Sequence, residues 1–224
     1  MIEVPTSGKT QPQISTIRSP HRDFIITTTK KNTMKITLLT IITLMTVALG
    51  TLNAQHINIG TKIGLNSYTI DHNDNTNMDS RIGLHAGLIG HIHMSSQFAI
   101  QPELVYSMQG AKRGNTSFNL DYINIPVLLQ YMFDNGFRIQ AGPQLGFLIN
   151  AEAKNKDLSL NIKDDFNTVD LGLSVGVSYI HPPSSFGVDF RYNLGLSDIS
   201  KNSNVKSINR GLQIGILYLF DHSN

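Results

Sequence analysis

Among the residues able to do chemistry, three histidines stand closest together: His85, His91 and His93. His85 and His91 recur at even spacing with Ser107, Glu103 and Asp170 further along the chain, the ingredients of a hydroxyl nucleophile, a base and an orienting acid. No Ser/His/Asp order or spacing singles out a triad. His91 and His93 at i, i+2 would offer two imidazoles to a metal, but the pattern supplies no third ligand. The expectation is therefore no catalytic, cofactor-binding or metal-binding residue. Each histidine is read as a hydrogen-bonding filler, with an outer-membrane hydrolase or acyltransferase kept as the alternative.

The elements that would position these side chains are strands. From residue 57 to 220 the chain divides into eight stretches in which large apolar residues occupy one parity and polar residues the other, as successive side chains of a strand point to opposite faces. In the first, Ile57, Ile59, Ile63 and Leu65 alternate with Asn58, Gly60, Lys62, Gly64 and Asn66. In the second, Ile82, Leu84, Ala86, Leu88 and Ile92 oppose Arg81, Gly83, His85, Gly87, His91 and His93. The fifth sets Phe137, Ile139, Leu145, Phe147 and Ile149 against Arg138, Gln140, Gln144 and Asn150.

A soluble sandwich would turn such an apolar face inward and cover its outer face with Lys, Glu and Thr. Here the polar parity is rich in Gly, Gln and opposite charges, which suits a narrow lumen. Runs of about 9 to 11 residues fit tilted membrane strands, and aromatics near strand ends, among them Tyr68, Phe98, Tyr131, Phe137, Phe186 and Tyr218, fit interfacial girdles. Connections alternate: residues 94–96, 134–136 (with an Asn-Gly turn signal) and 181–184 are short, whereas 71–79, 110–119, 151–165 and 200–207 are long and polar. The fold expected is all-β, an eight-stranded antiparallel outer-membrane β-barrel with short periplasmic turns, long outer loops and both termini in the periplasm. A soluble lipocalin-like lipid-binding barrel is the rival architecture.

Residues 34–54 fit a signal peptide: Lys35, an uncharged run over 36–52, then Asn53, Ala54 and Gln55, with cleavage expected after Ala54. The alternative is a single transmembrane anchor with a cytoplasmic tail. Residues 1–33 are polar and aperiodic, and the internal Met34 leads us to expect that they are a non-native or disordered extension. The barrel domain then runs over 55–224. Residues 1–54 hold 6 Lys/Arg and 2 Asp/Glu, leaving 12 and 14 for the remainder, so the expected mature chain carries net charge −2 although the whole carries +2. That balance gives no electrostatic basis for binding nucleic acid. With no cysteine, stability rests on the hydrogen-bonded sheet rather than on disulfides.

Six charged residues share the polar parity: Arg81, Glu103, Arg138, Asp170, Asp189 and Arg191. Three of each sign in a narrow barrel point to a structural network that fills the lumen, because an unpaired buried charge is costly. A conducting pore is not expected. The loop around 153–165 mixes lysines with aspartates and is read as a solvated segment.

Residues 101–110 (QPELVYSMQG), 122–129 (YINIPVLL), 140–150 (QAGPQLGFLIN), 189–199 (DFRYNLGLSDI) and 214–220 (IGILYLF) together resemble the PorT-like outer-membrane β-barrel family of the Bacteroidetes. The resemblance spans residues 57–220. It implies an eight-stranded barrel in the outer membrane, non-enzymatic, structural or accessory in the envelope, with a role in protein secretion of the type IX kind. Its implied partners are outer-membrane lipid, the barrel-assembly machinery and secretion-system proteins. Tyr218 and Phe220 are the expected assembly signal, although the chain continues to Asn224 where such signals end on the aromatic.

Overall fold

The computed structural model describes residues 57–73, 78–156, 158–202 and 206–220. The expected extension and signal peptide lie outside the described residues. Residues 55–224 form one compact unit.

Eight long strands close on themselves: β1 (Ile57–His72), β2 (Asp79–His93), β3 (Phe98–Arg113), β4 (Thr116–Met132), β5 (Phe137–Lys154), β7 (Val169–Ile180), β8 (Phe186–Gly195) and β9 (Ser207–Phe220). A three-residue strand, β6 (Ser159–Asn161), hangs on the far end of β5, and a single 3-10 turn follows at Lys163–Asp165. Every neighbouring pair is antiparallel, and β1 pairing with β9 closes the ring. Closure leaves none of the eight long strands as an open edge, the condition for crossing hydrocarbon with strands.

Burial is inverted relative to a soluble protein. Ile63, Leu84 and Ile214 are each more than half exposed, whereas Lys62, His85 and Gln213 on the opposite parity are buried. The apolar parity of β4 starts at Ile123 and continues to Phe133, one residue past the strand's end. Ten residue steps at ~3.3 Å, tilted by ~40°, span ~25 Å, the height of an outer-membrane apolar band. Two exterior aromatic chains mark the short-turn end: Phe98, Tyr131, Phe133 and Phe137 at successive ring separations of 5.3, 4.9 and 5.7 Å, and Phe186, Tyr218 and Phe220 at 4.6 and 5.2 Å.

Three expectations are corrected. The supposed loop 110–119 is a continuation of the β3–β4 hairpin, turning at Gly114 (φ 56°) and Asn115, a short-turn pair hidden among polar residues. Gly110 within it has φ 123°, and a β-carbon there would run into the Phe118 carbonyl. Asn150 is not in the lumen: a register shift between Asp121 and Tyr122 pairs Asp121 with Asn150 but Tyr122 with Leu148, so the alternation on β5 reverses there. Asn150 Nδ2 accordingly donates to Asp121 Oδ2 at 3.2 Å. Tyr68 belongs to no girdle; it sits on the polar parity of β1 and is 2% exposed.

Candidate functional site: the filled barrel interior

The interior is layered. Its middle is a four-charge cluster contributed by β1, β3 and β8. Arg191 donates to Glu103 through both terminal nitrogens, at 2.9 and 3.0 Å, and to Asp189 at 3.1 Å. Lys62 Nζ stands 3.1 Å from Asp189 and 3.4 Å from Glu103. Two cations and two anions cancel, and the fork of Arg191 meets the Glu103 carboxylate edge to edge. An amide relay extends the cluster across the barrel: Gln101 donates to Glu103 at 2.6 Å, Gln130 donates to Gln101 at 2.9 Å and to Gln140 at 2.7 Å, and Gln140 donates to Asp189.

Of the six charged residues expected in the lumen, the structure thus brings together Glu103, Asp189 and Arg191. The other three stand apart. Arg81 donates to the Gln109 carbonyl at 2.6 Å, Asp170 accepts from Ser197 Oγ at 2.8 Å, and Arg138 lies at the short-turn end with Nη1 3.4 Å from His91 Nε2. Lys62 was absent from the expected set although it shares the polar parity of β1; counting every charge on that parity would have found it.

Toward the long-loop end a second polar layer follows. Asn66 donates to Ser107 Oγ at 2.9 Å, Gln109 donates to the same oxygen at 3.1 Å, and Asn209 donates to Gln109. Asn193 donates to Tyr68 at 2.9 Å and accepts from Ser174. Apolar groups close both ends of this polar column. Ile89, Ile180, Leu217 and Leu219 pack together near the short turns. Ile70, Ala111, Leu120, Tyr122, Leu148, Ala151 and Ile199 pack at the other end, covered by Met78, Ile162 and Phe166.

The candidate histidines are placed as follows. His85 is 1% exposed, and its imidazole rests over Gly64 and Gly215, where β-carbons would crowd the ring. Neither of its nitrogens has a hydrogen-bond partner among the described residues, and Ser107 is engaged by Asn66 and Gln109 instead. The His91 and His93 rings meet edge to face at 4.5 Å. Among the described residues no three His, Cys, Asp or Glu side chains converge as a metal site would require.

The fold recurs among solved structures. Neisserial surface protein A superposes with a TM-score of 0.50 at 16% identity, over 72% of this chain and 97% of that one. Ail, the attachment invasion locus protein of Yersinia pestis, gives 0.45 at 14% identity over 72% and 98%. No curated protein matches the sequence. A family model described as outer membrane protein beta-barrel domain matches residues 53–201. The eight-stranded closed sheet, its lipid-facing apolar exterior and this match agree: the chain is a transmembrane barrel of the outer membrane and belongs to the outer membrane protein beta-barrel domain family.

Proposed function

We propose that this barrel is a non-enzymatic, non-conducting accessory protein of the outer membrane, and that its finer role is to support protein secretion of the type IX kind. The observation that carries the first part is the filled interior: a neutralised cluster of Lys62, Glu103, Asp189 and Arg191 with an apolar plug beyond it at each end. Such an interior holds the wall rigid and leaves the two ends as the places where partners bind. The secretion role is supported by the PorT-like phrases in residues 101–110, 122–129 and 189–199. Tyr218 and Phe220 are assigned to recognition by the barrel-assembly machinery, since both lie on the exterior of the closing strand.

Two measurements test this. Purified barrel in a planar bilayer should give no discrete conductance steps; steady steps would refute the closed interior. Affinity capture of the tagged protein from cross-linked outer membranes, against an unrelated barrel, should recover secretion-system components. Recovery of the barrel alone would remove the secretion role while leaving the structural one.

A further inference from the structure

The short-turn end holds a cavity of about 300 Å³ whose wall includes Asn58, His91, His93, Asp134, Arg138 and Ile180. Its charge accounting differs from the rest of the interior. Arg191 and Lys62 face carboxylates, and Arg81 faces a backbone carbonyl. Arg138 forms no ion pair among the described residues, and its Nε is buried without a hydrogen-bond partner. Among the described residues its one hydrogen-bond contact is with His91 Nε2. Arg138 is only partly buried, so at the cavity mouth its guanidinium keeps donors that meet no carboxylate of the wall, and the planar fork of Arg matches the two oxygens of a carboxylate or phosphate. Leu219 and Ile180 from the apolar plug add a hydrophobic wall to the same cavity.

We propose that this mouth is a binding site for an oxyanion ligand from the periplasmic side, its charged group held by the Arg138 fork and its apolar part lying against Leu219 and Ile180. Asp134, in the exposed turn at the rim, lines the same cavity without forming an ion pair among the described residues, and its charge would oppose a bound anion. The site is independent of any secretion role. Its wall comes from β1, β2, β4, β5, β7 and β9 and the turns between them, so it exists only in the closed barrel.

The test uses the full chain folded in detergent micelles and titrated by calorimetry with N-acetylalanine, N-acetylalanine amide and inorganic phosphate. Binding of N-acetylalanine but not of its amide identifies a carboxylate site; binding of phosphate alone identifies a phosphate site. Arg138→Gln should weaken the bound anion at least about tenfold, Arg138→Lys should retain part of the affinity, and Asp134→Asn should tighten it. Silence toward both anions, or equal affinity in Arg138→Gln, overturns the proposal. Should Arg138→Gln fail to fold, Arg138→Lys decides, because unchanged affinity there shows that the planar fork does not hold the anion.

Discussion

Replacing Glu103 with glutamine keeps the shape of the side chain and removes one charge from the centre of the barrel. Glu103 accepts two hydrogen bonds from Arg191, one from Gln101 and one from Lys62, and its side chain is fully buried. The variant leaves two cations facing Asp189 alone and turns an amide N–H toward other donors. Breaking a buried pair from one side costs about 3 to 5 kcal/mol. Counting instead the two Arg191 bonds at about 1.5 to 3 kcal/mol each gives a similar range. With a urea slope of about 1 to 3 kcal/mol/M, the unfolding midpoint should fall by roughly 1 to 5 M. The chain has no Trp, so folding in lipid vesicles is best followed by the migration of unheated samples on gels. Adding Lys62→Met to Glu103→Gln restores neutrality around Arg191 and Asp189, and should recover about 1 to 3 kcal/mol. A Glu103→Gln shift below about 0.5 kcal/mol, or no recovery in the double variant, would refute the account of the cluster as a balanced unit.

Tyr68→Phe should cost about 1 to 3 kcal/mol in the same assay, because Asn193 then loses the acceptor it holds at 2.9 Å and keeps a buried amide unpaired. Gly110→Ala should cost about 1 to 3 kcal/mol through its φ of 123° and the Phe118 carbonyl beside it, and more than Gly114→Ala, whose β-carbon meets open space. Glu152, outside the membrane at the far end of β5, is held below the usual carboxylate range by its hydrogen bond with Lys154, 2.8 Å away. Carbon-13 NMR should show it titrating low, and Lys154→Ala should return it toward the ordinary value. Phe220→Ala should slow insertion by the assembly machinery while leaving the folded barrel's stability within about 1 kcal/mol, since the ring is on the exterior.

The wall of the barrel was legible because a period of two has only one ambiguity, which face is inside, and the chemistry of the polar parity resolves it. Gly64 and Gly215 opposite His85 could not be wet-side residues of a soluble sheet; they clear the space into which the imidazole lies. What stayed hidden were the places where the period slips. The shift at Asp121 and Tyr122 leaves no mark in composition, so Asn150 was assigned to the wrong face. The site was harder still. Glu103 and Arg191 are 88 residues apart, and only strand tilt and register bring them to one level. Parity tells which charges enter the lumen, not at what height, which is why Arg81, Arg138 and Asp170 were grouped with a cluster that does not include them.

The two ends of the molecule are built differently, and that difference bears on what each can do. At the long-loop end the connections are tied to one another and to the wall. Asn73 accepts from Lys206 through its side chain and donates its amide to the Lys206 carbonyl, and His72 Nδ1 lies 2.8 Å from Ser207 Oγ. Asn167 donates to the carbonyls of Asp198 and Ser200, and Phe166 pairs with Ser200. Ile199 is then buried among the side chains of the wall. A surface held this way loses little freedom when a macromolecule docks, so it is suited to recognising a fixed shape. At the short-turn end the turns are brief and the interior opens into a cavity beside the partly buried Arg138, the place of the proposed anion site. On the proposed reading of a filled column, neither end passes material to the other. Any coupling of the two would have to travel through the wall, by a change in strand register or through the four-charge cluster that ties β1, β3 and β8 together.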